Sequence, residues 1–241
     1  MRPDPSNLLK RLDLNIPLIG FYDVPDTAGF EPLVTPRQGT HVCVFNFYKR
    51  WLKGETLHIT RDNAGCGGAA HWLFGVESIT REEYVEFLAD EEGLKASHEL
   101  MNEWLDWSTT YRPENPNLLL GPLREGKYLY LKSVTFLVNP DQLSALIIGA
   151  NYNHEPGGSP RVLAPFGSGC MQLCPLFDDL DKPQAIIGAT DLAMRQALPP
   201  DILAFTVTRH MFEELCELDE GSFLYKPFWL DLRKSRGLPG L

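Results

Sequence analysis

The sequence predicts an α+β domain built on a mixed sheet. Its clearest segment is a strand at residues 133–138 that leads into Asn139 as helix N-cap, with Pro140 at the first helical position. A second strand, at residues 203–207, is followed in the same way by Thr208 and an amphipathic helix. A strand, a cap and a helix that recur in this order predict an internal duplication of strand-loop-helix units.

Hydrophobic periodicity and turn residues predict the other elements. Short apolar or alternating runs predict strands at residues 16–22, 56–60, 118–120, 128–131 and 184–187. Apolar residues three and four apart predict helices at 6–14, 41–52, 80–93 and 94–107, and a short helix that begins at Asp191. The helices at 80–93 and 94–107 form a helical hairpin inserted in the first half, the aromatic tail at 223–232 packs back, and residues 233–241 fray. We expect one domain over 1–241 with pseudo-repeated halves at about 1–151 and 152–241.

Composition narrows the function classes. The chain has 241 residues, 44% of them hydrophobic, and a net charge of −10 with no block of Lys or Arg, which disfavours non-specific nucleic-acid binding. No apolar run is long enough for a membrane span, and the first residues have no signal-peptide core. Five cysteines in a chain of this length predict reduced thiols and a cytoplasmic protein rather than a disulfide framework.

Two short segments of small residues and cysteine stand out, and we call them the Gly-Cys elbows. The first is Ala64-Gly65-Cys66, continued by Gly67 and Gly68, and the second is Ser168-Gly169-Cys170. Each follows an apolar run and precedes a helix-compatible segment, so each cysteine is expected at a helix N-terminus. Unpaired N–H groups there favour a thiolate or a bound anion.

The elbows predict a binding site for a small ligand, with an anion among the candidates. In this hypothesis Cys66 and Cys170 form the floor, and the glycine amides donate hydrogen bonds. The predicted ligand-binding residues are Gly65, Gly67, Gly68, Asn151, Tyr152, Cys170, Asp191 and Arg195. Arg195 supplies positive charge, Asp191 caps its helix or pairs with Arg195, and Asn151 and Tyr152 form the rim.

Three alternatives stay open. The protein could be a thiol-dependent enzyme with Cys66 as catalytic nucleophile and His58 or His71 as its partner. It could be a metal or iron–sulfur module that uses Cys43, Cys66, Cys170 and Cys174, although two closely spaced pairs are absent and we assign no metal ligand. It could also be a structural assembly protein, for instance a homodimer through a shared sheet. The sequence identifies no cofactor and does not decide whether the protein is an enzyme.

Several segments together resemble the family called domain of unknown function 169. They are residues 14–22, Cys43, Lys53-Gly54-Glu55, Gly65-Cys66-Gly67-Gly68-Ala69, residues 136–142, Gly169-Cys170, and Asp191 with Arg195. The resemblance covers nearly the whole chain and rests on the order and spacing of these segments. Many members carry a further Gly-Cys pair where this chain has Gly188-Ala189. Because the family has no established activity, the resemblance implies a grouping and no mechanism.

Overall fold

The structure, a computed structural model, describes residues 3–37, 43–64, 68, 80–107, 111–155, 157–165 and 182–238. The strands are β1 Ile19–Val24, β2 Leu33–Val34, β3 Thr56–Ile59, β4 Asn117–Pro122, β5 Leu131–Val138, β6 Val162–Leu163, β7 Ala185–Gly188 and β8 Leu203–Thr208. The α-helices are α1 Ser6–Leu12, α2 Tyr48–Trp51, α3 Arg81–Glu86, α4 His98–Trp107, α5 Pro140–Ala150, α6 Leu192–Arg195, α7 Arg209–Cys216 and α8 Pro227–Ser235. These elements confirm the predicted α+β class with a mixed sheet.

Local capping begins the helices where the sequence predicts it. At α5 the Gln142 N–H donates to Asn139 Oδ1 at 2.9 Å, and the Asn139 N–H donates to Gln142 Oε1 at 3.0 Å. Such a reciprocal capping box satisfies two backbone donors that the first helical turn leaves unpaired. Thr80 and Glu83 form the same box at α3, and the Thr208 side chain caps α7.

Four local predictions are wrong in detail. Residues 128–130, predicted as a strand, form a 3-10 turn before β5. Residues 33–34, predicted as part of a loop, form strand β2, because they pair with β3, which is distant in the sequence. The second helix of the hairpin begins at His98, since a bend at residues 92–97 breaks the run. The predicted helix at 41–52 is a 3-10 turn over Val44–Phe47 followed by the single turn of α2.

The C-terminal segment is ordered further than the sequence suggests. Helix α8 extends to Ser235, and Arg233, predicted to fray, is buried with its guanidinium donating to the Arg11 carbonyl at 3.0 Å. The Trp229 indole N–H donates to the same carbonyl at 3.0 Å. This carbonyl lies in the last turn of α1, where carbonyls lack helical partners, so the contact ties the tail to the N-terminal helix.

The eight strands form one sheet whose order is β2-β3-β4-β1-β5-β8-β7-β6. The order is symmetric about its centre: β1, β2, β3 and β4 occupy places equivalent to those of β5, β6, β7 and β8. The residue pairing follows the same symmetry, because the pair Leu57 and Leu120 of β3 and β4 is equivalent to the pair Ile186 and Thr206 of β7 and β8. At the centre β1 and β5 pair antiparallel with Gly20 opposite Val134, so an approximate twofold axis normal to the sheet passes through that pair.

This symmetry differs from the predicted repeat. The sequence aligns β5 and α5 with β8 and α7, so that Phe136 corresponds to Phe205, but these two residues are direct cross-strand partners in the sheet. The register instead relates β5 to β1 and β8 to β4. An internal duplication of the sequence is not confirmed, and the division near residue 151 stays a prediction.

Helices cover both faces of the sheet. We call the face that carries Phe21 and Leu120 the front face; α2, α3, α4 and α6 pack on its apolar core. The back face carries Phe136 and Phe205, and α1, α5, α7 and α8 pack on it. Side chains alternate between the two faces along each strand. None of the helices in the described ranges is long and apolar enough to cross a membrane.

We expect Phe136→Ala to destabilise the protein strongly, because this side chain is fully buried on the back face and packs against Phe212 with ring centroids 6.2 Å apart. A cavity of this kind costs about 3–5 kcal/mol of unfolding free energy. Urea unfolding followed by tryptophan fluorescence measures it. Leu129→Ala is the control, because Leu129 is 77% exposed and its truncation is expected to change stability by no more than about 0.5 kcal/mol. Equal losses in the two variants would contradict the assigned back core.

Candidate functional site

Five front-face residues in the second half of the sheet are small or carry a hydroxyl group, and they lie beside the apolar Leu137 and Ile186. We call this set the hydroxyl floor; its members are Ser133 and Thr135 on β5, Gly188 on β7, and Ala204 and Thr206 on β8. All five are buried. Thr135 and Thr206 are cross-strand partners, and their hydroxyl oxygens lie 2.8 Å apart, within hydrogen-bond distance.

The twofold register gives each member of the hydroxyl floor a counterpart in the first half of the sheet. The counterparts of Ser133, Thr135, Gly188, Ala204 and Thr206 are Ile19, Phe21, Ile59, Leu118 and Leu120. All are larger and apolar, and all lie in the front core. Trp51 packs on this core, and its indole N–H donates to the Leu120 carbonyl at 3.0 Å. At these five positions the second half therefore has less side-chain volume and more hydroxyl groups than the first. At two other front-face positions it carries large apolar residues, Leu137 and Ile186, whose counterparts are Asp23 and Leu57.

The two elbows lie almost entirely outside the described residues: Gly65, Cys66, Gly67 and Cys170 are not described, and Gly68 is helical and buried. The strands before them are described. The first elbow follows β3 and the second follows β6, strands that run in opposite directions and stand six positions apart in the sheet. At about 4.8 Å per strand, their ends are roughly 29 Å apart across the sheet and at opposite edges. Convergence of the elbows stays a prediction that this placement does not support.

Asp191 and Arg195 lie at the end of β7, next to the hydroxyl floor. Asp191 caps α6, as predicted, by accepting from the Ala193 N–H at 2.9 Å. Arg195 donates to four backbone carbonyls, those of Ala189, Ile202, Pro199 and Pro200, at 3.3, 2.5, 3.1 and 2.9 Å. These contacts engage its guanidinium within its own chain segment.

Asn151 and Tyr152, predicted for the rim, lie at the end of α5 on the opposite side of the sheet. Helix α5 packs on the back face, and Met194 and Leu198, which flank Arg195, pack on the front face. Asn151 is exposed and its side-chain amide donates to the Ile147 carbonyl at 2.9 Å; Tyr152 is also exposed. The structure therefore brings Asp191 and Arg195 together but separates them from Asn151 and Tyr152.

Carboxyl groups at this edge have raised pKa values. Burial raises the pKa of Asp191, against two backbone N–H groups that lower it. Burial also raises the pKa of Glu92, at the end of the helical hairpin's first arm, and the negative charges of Asp191 and Glu91 raise it further. Both side chains are partly buried, and the charge of Asp191 disfavours ionisation of Glu92.

His58 has a structural role in the described contacts. Its Nε2 lies 2.8 Å from Asn117 Oδ1, while the Asn117 side-chain amide donates to the carbonyls of Val24 and Pro25. Because the amide nitrogen is engaged as a donor, the Asn117 oxygen must accept, so the proton is assigned to His58 Nε2. Its Nδ1 lies 3.4 Å from Thr35 Oγ1, which completes a hydrogen-bonded chain at the sheet edge.

Of the five cysteines, Cys43 and Cys216 are described, and both are free thiols. Burial raises the pKa of Cys216 to about 12, with further increases from Asp4, Glu217 and Glu213, so this thiol is protonated at neutral pH. Within the described ranges, no group of three or more His, Cys, Asp or Glu side chains is arranged to hold a metal ion.

The hydroxyl floor is a feature that the sequence reasoning missed. The signal lies in Ser133-Val134-Thr135, where polar residues alternate with an apolar one inside a strand interpreted as core. Alternation of this kind is typical of a strand with two different faces. It becomes informative only with the pairing of β5 and β8, which places Thr206 beside Thr135.

Fold and site together define a three-layered α+β protein with one mixed sheet, whose front face carries three buried hydroxyl residues, Ser133, Thr135 and Thr206, in its second half. The chain belongs to the family called domain of unknown function 169, described as uncharacterised ArCR, which it matches over residues 8–218 of 241. The resemblance drawn from the sequence is therefore confirmed. The matched region contains all eight strands and ends before α8. No curated protein and no solved structure matches the chain.

We expect Glu92→Gln to stabilise the protein at neutral pH. A folded-state pKa above the ordinary value means that the ionised carboxylate costs stability, a cost that appears as the pH rises from about 4.5 through the raised pKa. Below that range Glu92 is protonated in both states and the cost is absent. Urea midpoints of wild type and variant should therefore coincide near pH 4 and separate at pH 7, with the variant more stable.

Glu125→Gln, in the exposed turn before β5, is the control for a general effect of net charge. It removes the same charge from a solvated site and should leave the midpoint almost unchanged. Destabilisation by Glu92→Gln at pH 7 would show that the Glu92 carboxylate has a favourable partner instead.

Proposed function

We propose that the protein binds a small polar ligand on the front face of the sheet, over the hydroxyl floor. The observation that carries the proposal is the difference between the two halves of one symmetric frame. In the first half, Phe21, Ile59 and Leu120 fill the front face. At the equivalent places the second half has Thr135, Gly188 and Thr206, which have smaller side chains and two hydroxyl groups.

The chemistry of the hydroxyl floor supports a ligand that forms hydrogen bonds. Each Thr or Ser hydroxyl has one donor and two acceptor positions, and the Thr135–Thr206 contact uses only part of this capacity. Buried polar groups are costly unless they are hydrogen-bonded, so a hydroxyl-lined half-face is compatible with a polar ligand. Small-molecule sites commonly combine an apolar wall with a few such polar groups.

The proposal retains residues predicted from the sequence. Asp191 borders the hydroxyl floor, three residues after Gly188. In the proposal the second elbow, at Cys170, contributes backbone N–H groups and a thiol, because it follows β6 in the same half of the sheet as the hydroxyl floor, and this is how an anionic group would be bound. The first elbow, at Gly65, Cys66, Gly67 and Gly68, follows β3 in the other half, so its contact with the same ligand stays a sequence prediction. The proposed activity is binding, in the cytoplasm, where free thiols such as Cys43 persist. The homodimer stays a prediction.

The direct experiment is native mass spectrometry of freshly purified protein, followed by denaturation and analysis of the released small molecules. We expect an excess mass at a fixed ratio to the chain that is lost on denaturation. Purified protein that always has the mass of the bare chain, and releases nothing when unfolded, would contradict the proposal.

We expect the double variant Thr135→Val with Thr206→Leu to fold but to lose the ligand. Leu is the residue at the counterpart position of Thr206, and replacing both partners of the Thr135–Thr206 hydrogen bond leaves neither hydroxyl unpaired. If the space is reserved for a ligand, the unfolding free energy of ligand-free protein should change by less than about 1 kcal/mol. If side chains already fill the space, overpacking should cost about 1–3 kcal/mol.

The matched control is Val207→Leu. Val207 is the next residue on β8, is buried, and points to the back core. The larger side chain at this position should lower the unfolding free energy through overpacking, while the variant keeps the ligand. The proposal fails if the double variant keeps the ligand, or if it is destabilised as much as Val207→Leu.

A further inference from the structure

The turn after β7 holds a residue in a conformation that its side chain disfavours. Ala189 has φ of +60° and is completely buried. The left-handed region is rare for residues other than Gly, Asn and Asp, and such strain persists only where the surroundings hold it. Ala189 lies between Gly188 of the hydroxyl floor and Asp191, which caps α6. The conformation of this turn therefore determines where the Asp191 carboxyl lies relative to the hydroxyl floor.

One side chain, that of Arg195, binds both ends of the chain segment that contains this turn. The Nη1 group of Arg195 donates to the carbonyls of Ala189 and Ile202, and its Nη2 group donates to those of Pro199 and Pro200. One guanidinium thus joins the start of the β7–β8 connection to its end. The planar fork fixes four acceptors at once, which a lysine ammonium with three mobile donors does not reproduce.

We propose that Arg195 is a positioning residue, whose guanidinium holds Ala189 in the left-handed conformation and thereby places the Asp191 carboxyl at the border of the ligand site. The role of Asp191 toward a ligand rests on the proposed function; the coupling between Arg195 and Ala189 does not. The sequence predicts that Arg195 contacts the ligand itself. Its hydrogen bonds support an indirect role, since they are directed at its own chain segment.

The coupling can be measured with a double-mutant cycle of Arg195→Gln and Ala189→Gly. Glycine adopts positive φ without the steric penalty that an L side chain meets, so the turn of the Ala189→Gly variant depends less on the hydrogen bonds from Arg195. Hydrogen exchange of the amides at residues 189–202 is the readout. Arg195→Gln should accelerate this exchange at least tenfold in the wild-type background, and about fivefold less in the Ala189→Gly background.

A second readout separates positioning from a general loss of stability. The pKa of the Asp191 carboxyl, measured by carbon NMR titration, is raised by burial in the wild type and should fall toward the ordinary aspartate value in Arg195→Gln, because the released turn exposes it to water. Arg124→Gln is the matched control. Arg124 also binds backbone carbonyls, those of Phe30, Glu31 and Gly54, but at the other end of the sheet.

Arg124→Gln should lower overall stability yet leave the Asp191 pKa and the exchange at 189–202 unchanged. If Arg195→Gln does not fold, Arg195→Lys is measured in the same way. Equal effects of the Arg195 substitution in the wild-type and Ala189→Gly backgrounds would overturn the proposal, as would an unchanged Asp191 pKa. Both measurements are made on ligand-free protein, so absence of a ligand tests the proposed function and leaves this result unaffected.

Discussion

The antiparallel pairing of β1 with β5 is the constraint on which the rest of the structure depends. It joins the two four-stranded groups into one sheet and, with Gly20 opposite Val134, fixes how the two groups face each other across the centre. A shift of one residue at this pair would put Phe21 and Thr135 on opposite faces of the sheet, because side chains alternate along a strand. The contents of both faces, and so the position of the hydroxyl floor, are determined by this one register.

A symmetric frame makes the difference between its halves informative. Phe21 and Thr135 have equivalent backbone positions, so their backbone geometry does not explain why one is large and apolar and the other small and polar. Packing alone favours the large residue, since a filled core gains dispersion and hydrophobic energy. The smaller side chains at several neighbouring positions in one half are the basis of the proposed function. In that proposal the requirement is binding of a polar ligand, which also accounts for the hydroxyl groups.

Features that are decided by neighbours along the chain can be predicted from this sequence, whereas features that depend on contacts between distant segments cannot. The cap at Asn139 and the helix after it are decided by neighbours along the chain, and these predictions are confirmed. Strand β2 has only two residues and exists because β3 lies beside it, and no local pattern marks it. The twofold register is equally non-local: it relates Thr206 to Leu120, residues whose side chains have nothing in common. The family is recognisable nonetheless, because segment order and spacing survive when individual side chains change.

Arg195 bears on which ligand charge the proposed site suits. It lies beside the hydroxyl floor and donates to four backbone carbonyls. A guanidinium that is already bound in this way recognises a ligand anion only by giving up its present partners, which leaves carbonyls unpaired. Nearby, Asp191 and Glu92 bring negative charge toward the same edge. The described part of the site is therefore suited to an uncharged, hydrogen-bonding group, and any anionic portion of the ligand has to be met by backbone N–H groups such as those predicted for the elbows.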